Sequence, residues 1–186
     1  MKRLIFIPAV LAATPALAHL DPDTHGSVAA GLSHPLFGLD HILAMVVVGL
    51  WAAQIGGRAI WAVPASFVGV MIVGFGLALA GLPLPMVEPM ILASSVALGL
   101  LVTMAVRPDP KIAAVVVGLF ALFHGHAHGG ELGSAEAATF GLGFAVATAA
   151  LHGIGAGVGL LLKGQQKALR ILGGGTALAG LLIAFA

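Results

Sequence analysis

The chain has 186 residues, 60% of them hydrophobic and 8% charged, with a mean hydropathy of +1.11; so little polar surface cannot cover a soluble globule of this length, which places the chain in a bilayer. A net charge of +1, without a basic run or an aromatic-basic patch, argues against a nucleic-acid partner. The lack of cysteine excludes a disulfide framework and thiolate metal ligation, and is harmless in an oxidising compartment.

The first 18 residues read as an address. Lys2 and Arg3 precede an apolar stretch, and Ala16-Leu17-Ala18 forms a small-residue cleavage signal. The expectation is a signal peptide over residues 1–18 and one transmembrane domain over residues 19–186. Pro8 and Pro15 weaken the alternative, a retained first helix. Cleavage after Ala18 would start the mature chain at His19, which then offers two nitrogen donors, imidazole and free amine, on the outer side.

Apolar runs of about 20 residues predict six spans, near residues 36–55, 59–81, 89–106, 112–128, 138–162 and 169–185. The fold class is therefore all-α, a polytopic six-helix bundle. With the mature N-terminus outside, Arg58, Arg107, Lys111, Lys163, Lys167 and Arg170 all fall on the cytoplasmic side, as the positive-inside rule requires. The outer connections carry Asp21, Asp23, Glu88, Glu131 and Glu136 with His19 and His25, an acidic and imidazole-rich surface that attracts divalent cations. Glycine is abundant, notably Gly153, Gly155, Gly157 and Gly159 in the fifth span and Gly173 to Gly175 in the sixth. In lipid, small residues let helix backbones approach closely.

The polar residues inside these spans carry the functional argument. "HPLFGLDH" opens the first span, with His34 and His41 two helical turns apart and Asp40 beside His41. Pro35 suits a first helical position. A carboxylate within a bilayer helix costs a few kcal/mol unless partnered, so Asp40 marks a site; the plainer alternative is a pair that only fastens helices. "FHGHAHGGE" ends the fourth span, and on a continuous helix His124, His128 and Glu131 share one stripe while His126 points elsewhere. Gly125, Gly129 and Gly130 would permit local unwinding there, as in transporters that present ligands at depth. The plainer reading is a histidine-rich loop tip in water. His152 lies roughly 20 Å along the fifth span, near mid-membrane, beside Thr148, Gly153 and Gly155. It is either a helix contact or a deep step on a pathway.

Imidazole with a few carboxylates suits borderline divalent ions such as nickel, cobalt and zinc rather than Mg²⁺ or Ca²⁺. Copper(I) fits less well without cysteine, although Met45, Met71, Met86, Met90 and Met104 are present.

These two motifs, His-x5-Asp-His and FHGHAHGGE, resemble the signatures of the HupE/UreJ family, hydrogenase and urease accessory proteins regarded as nickel or cobalt permeases. The resemblance spans most of the mature chain and is weakest in the sixth span. It implies uptake of nickel, or cobalt, across a bacterial inner membrane for a metalloenzyme such as a hydrogenase or urease. It also implies His34, Asp40, His41, His124, His126, His128 and Glu131 as ligand-bearing positions. The metal is cargo, and no prosthetic group is expected.

No P-loop motif is present, so transport would be driven by the membrane potential without nucleotide. His19, His25 and the outer carboxylates would collect the ion, the His124, His128 and Glu131 stripe would desolvate it, and Asp40 and His41 would hold it before it passes His152. Two other classes remain open. One is an intramembrane zinc hydrolase, with Asp40 or Glu131 acting on a metal-bound water. The other is a metal-binding accessory protein that does not transport.

Overall fold

The computed structural model describes residues 27–129 and 137–185. The expected signal peptide, His19, His25, Asp21, Asp23, Glu131 and Glu136 lie outside the described residues. Among the described residues seven α-helices follow one another: α1 Val28–Ser33, α2 Leu39–Ile55, α3 Ala59–Leu79, α4 Val87–Thr103, α5 Pro110–Gly129, α6 Ala137–Leu161 and α7 Gln166–Ala184, with a 3₁₀ turn His34–Leu36 between α1 and α2. No strand occurs among the described residues.

The helices are apolar all round. Val115 and Ile171 are each 72% exposed and Leu161 is 83% exposed, while the interior holds Trp51, Phe67, Met45, Met71, Leu98 and Phe144. An oily exterior over an oily interior is what a bilayer solvent selects. Among the described residues four helices, α3, α5, α6 and α7, are long and apolar enough to cross a membrane, or five candidates if the bent pair Val28–Leu36 and Leu39–Ile55 is one span; α4, with 17 residues, is a shorter apolar helix.

The first expected span is not one rod. Val28–Leu36 and Leu39–Ile55 meet at an angle of 86°, so residues 36–55 do not form a continuous helix. The break falls at Phe37 and Gly38, where Gly38 adopts an extended backbone (φ −99, ψ 114) as the residue before α2. A Cβ on Gly38 would stand 2.8 Å from Asp40 Oδ1 and 2.9 Å from His41 Nδ1. The missing side chain is what lets these two groups fold back over the start of the helix. Ser27 caps the other end of the segment, its Oγ accepting from Ala30 N at 3.0 Å.

Glycines bring helix pairs into backbone contact. A Cβ at Gly74 would collide with the Leu122 carbonyl, and one at Gly125 with the Met71 carbonyl, which locks α3 to α5. Gly49 lies against the His152 carbonyl and Gly155 against the Val46 carbonyl, which locks α2 to α6. With little hydrophobic drive between helices in lipid, such contact is a main source of cohesion. Of the four glycines expected to pack in the fifth span, Gly155 and Gly159 face α2, while Gly153 and Gly157 face open space. α5 runs unbroken through Gly125 to Gly129, and Gly130 lies outside the described residues. There is no unwinding at Gly125, because its lack of a side chain serves the contact with α3.

Polar contacts sort the two ends of the bundle. Trp51 Nε1 donates to the Val106 carbonyl at 2.9 Å and Gln54 Nε2 to that of Val102 at 3.0 Å, which places the C-terminal end of α2 beside that of α4. Arg170 Nε donates to the Thr103 carbonyl at 2.7 Å, adding the start of α7. These donors reach carbonyls at the helix end, where intrahelical partners run out, although that of Val102 also accepts from Ala105 N at 3.0 Å. All six Lys and Arg among the described residues sit in or next to the connections at this end. His34, Asp40 and His41, with the last turn of α5, lie at the other.

A histidine cluster as candidate metal centre

The start of α2 and the end of α5 meet at the end of the bundle away from the basic residues. Asp40, in the first turn of α2, is favoured there by the helix dipole. Its Oδ1 stands 3.1 Å from His41 Nδ1. His41 Nε2 is 2.8 Å from His128 Nε2, and His128 Nδ1 is 3.0 Å from His34 Nε2. Three imidazoles and one carboxylate therefore form a single hydrogen-bonded chain across α2, α5 and the turn before α2.

The chain fixes where its hydrogens sit. A carboxylate only accepts, so His41 Nδ1 donates to Asp40. With each ring neutral, His41 Nε2 then accepts from His128 Nε2, and His128 Nδ1 accepts from His34 Nε2. The Asp40–His41 pair is the carboxylate–imidazole arrangement that orients a metal-binding histidine and raises its basicity. The His41 and Asp40 side chains are 12% and 22% exposed. His128 is 6% exposed. The cluster, called the mouth below, is therefore partly exposed at Asp40 and His41 and buried at His128.

As the side chains stand, no three His, Asp or Glu groups among the described residues are spaced to hold a metal ion. The nitrogens are at proton-sharing distance, whereas two on one tetrahedral dication would stand roughly 3.3 Å apart. For both Nε2 lone pairs to face one ion, the neutral His128 ring would carry its hydrogen on Nδ1 instead of Nε2 and the His34 N–H would turn away from it, a tautomer shift with no net loss of a proton.

Aromatic rings wall the cluster. Phe140 and Phe144 stand edge-on to His34, at 5.3 and 6.1 Å between centroids, and Phe144 edge-on to His128 at 4.7 Å. Phe144 also lines an apolar cleft of about 370 Å³ between α3 and α6, together with Met71, Phe75 and Gly141 among others. With almost no polar lining it offers a dication no route.

Deeper in the bundle, His124 and His152 are completely buried. The His41 and His124 rings are 5.4 Å apart. His124 Nδ1 stands 3.0 Å from the Phe120 carbonyl, and His152 Nδ1 2.7 Å from that of Met45. His126 faces elsewhere: its Nε2 donates to the Leu82 carbonyl at 2.8 Å, tying α5 to the α3–α4 connection. The ligand-bearing set implied by the resemblance is therefore divided, with His34, Asp40, His41 and His128 together, His124 behind them and His126 apart.

Two features escape the sequence reading. Phe67 stands edge-on to both deep rings, 5.4 Å from His124 and 4.9 Å from His152, and no local signal separates it from other phenylalanines in apolar helices. Gln54 is buried on α2; an amide inside an apolar run is the signal that marks it.

The family model for the HupE / UreJ protein matches residues 7–183. The chain is 48% identical over 172 residues to "Protein HupE" of Rhizobium leguminosarum bv. viciae, covering 90% of each chain. No solved structure matches it. By both the extent of the family match and this identity, the chain belongs to the HupE/UreJ family.

Proposed function

We propose that this protein is a bacterial inner-membrane permease that takes up nickel, with cobalt as the alternative cargo, for a metalloenzyme such as a hydrogenase or urease. Its HupE/UreJ membership supports the link to hydrogenase and urease maturation. The observation that carries the reading is the mouth cluster, in which His34, Asp40, His41 and His128 from separate segments converge on one hydrogen-bonded chain. Such a donor set suits a borderline dication and binds it openly enough for release.

In this reading α2 to α7 are six membrane crossings, residues 1–18 are removed, and the mature N-terminus and the histidine mouth face the periplasm. The potential, inside negative, is worth about 2.3 kcal/mol per charge per 100 mV and about twice that for a dication, which drives uptake. Asp40 orients His41, the Nε2 lone pairs of His41 and His128 take the metal once the His128 hydrogen has moved to Nδ1, and His34 releases its bond to His128 as that happens. His19, His25 and Glu131 are proposed as the outer collecting groups. The chain is a carrier and not an enzyme: the donors His124 and His152 continue inward from the mouth, which suits passage better than a hydrolase's single open site.

Radioactive nickel uptake by energised vesicles containing the full chain tests this. Wild type accumulates nickel, an uncoupler stops it, and Asp40→Ala abolishes it while the protein still reaches the membrane. Undiminished uptake by Asp40→Ala removes the mouth from the mechanism. Mass spectrometry of the purified protein tests the processing: His19 is the expected first residue, and an intact Met1 contradicts it.

A further inference from the structure

His124 and His152 differ from the mouth histidines in what their second nitrogens do. In both rings Nδ1 faces a backbone carbonyl, Phe120 at 3.0 Å and Met45 at 2.7 Å. A carbonyl only accepts, so Nδ1 carries the hydrogen and a neutral ring presents Nε2 as a bare lone pair. Both Nε2 atoms are fully buried without a hydrogen-bond partner. An unsatisfied buried acceptor costs about 1–3 kcal/mol, and a histidine that merely fastened helices would give its second nitrogen a partner. Proteins prepare metal ligands in this way, with one ring nitrogen donated to a carbonyl and the other offered.

The surroundings narrow the chemistry. Both rings lie against the one phenyl of Phe67. One turn before His152 the buried Thr148 hydroxyl donates to the Met71 sulfur at 3.7 Å, and Met71 is one turn beyond Phe67 on α3. Neither α3, α5 nor α6 carries an Asp or Glu within its described length. These three helices therefore offer the deep pair neutral nitrogen and a thioether, and the one carboxylate on the neighbouring α2, Asp40, is bonded to His41 at the mouth. Hard ions hold their water against such donors, whereas nickel and its neighbours gain from imidazole.

Resting on the permease reading, we propose that His124 Nε2 and His152 Nε2 form a second, deeper station for the dication, with the Met71 thioether beside it. This station, rather than the carboxylate-bearing mouth, rejects hard ions such as Mg²⁺ and Mn²⁺. The mouth gathers divalent ions; the deep station admits only those that exchange water for neutral nitrogen.

The test uses the full chain in vesicles with a trapped fluorescent chelator, supplied with Ni²⁺ alone or Mn²⁺ alone, and equilibrium dialysis of Ni²⁺ on the purified protein. His152→Asn is the informative variant. Its side-chain amide can keep the bond to the Met45 carbonyl, yet nothing replaces Nε2. Expected are an Ni²⁺ influx lower by at least about tenfold, a smaller preference for Ni²⁺ over Mn²⁺, and loss of one bound Ni²⁺ equivalent with mouth binding retained. Wild-type influx, preference and stoichiometry in this variant overturn the deep station. Absence of Ni²⁺ influx in wild type overturns the permease reading instead, and the deep station is then decided by the dialysis stoichiometry. Should His152→Asn not reach the membrane, His124→Asn, which keeps the bond to the Phe120 carbonyl, reads the same quantities: the same losses support the deep station, and wild-type values overturn it.

Discussion

The mouth and the deep pair use the same side chain in opposite ways. At the mouth, His34, His41 and His128 satisfy one another and Asp40, so both ring nitrogens of His41 and of His128, and Nε2 of His34, already share a proton. In the deep pair, His124 and His152 are tied to carbonyls and leave a nitrogen without a partner. In the proposed permease, a hydrogen-bonded cluster near water would trade its internal bonds for metal and back again, a reversible capture, and a buried nitrogen without a partner would favour drawing the ion inward. Both solvation and the presence of Asp40 at the mouth would then separate capture from passage.

Several perturbations would break or sharpen that contrast. The largest effect is expected of His41→Ala, which cuts the mouth chain at its centre: nickel uptake should fall to the vesicle background, and retained uptake would dissolve the mouth as a functional unit. Next comes Gly49→Leu. Gly49 lies against the His152 carbonyl, so a side chain there forces α2 from α6 at the depth of His152. A loss of about 3 kcal/mol or more in stability is expected, read as a lower melting temperature in detergent. Gly157→Leu, facing open space on the same α6, should stay within about 0.5 kcal/mol. Equal losses would mean that α6 does not pack as described.

Proton competition gives a graded effect. A protonated imidazole has no lone pair for metal, so uptake should decline as the outside pH falls below about 6 and recover as it rises; a flat profile would argue against imidazole ligands at the mouth. The smallest effect belongs to His126→Ala. Its bond to the Leu82 carbonyl is near the surface and away from both groups, so a loss near 1 kcal/mol and uptake within about twofold of wild type are expected. Abolished uptake would return His126 to the ligand set.

Much of this is legible in the sequence. Apolar runs announce helices whatever their neighbours do, so the all-helical class and the positions of the long helices follow from composition. The break before α2 does not, because Leu36 to Leu39 is apolar on both sides of Gly38; Pro35 and Gly38 are the available signs. His34 shows the consequence. Periodicity places it on the face of His41 along one rod, yet the helix is broken between them, and it is the 86° bend that leaves both within reach of His128. The i, i+4 spacing of His124 and His128 does put both inside the bundle, but only tertiary packing shows that one meets His41 at a hydrogen bond and the other faces Phe67. α4 ends at Thr103, short of the expected 106, with Ala105 in the left-handed region (φ 56); the donors that meet this end, Trp51, Gln54 and Arg170, are too distant in sequence to read.

X-ray absorption at the nickel edge of the purified, nickel-loaded full chain most directly tests whether imidazoles from separate helices ligate the ion. Expected is a shell containing two or more imidazole nitrogens, with the multiple-scattering signature of histidine rings, and fewer of them after His41→Ala. A shell of oxygen alone, unchanged by that substitution, would contradict histidine ligation.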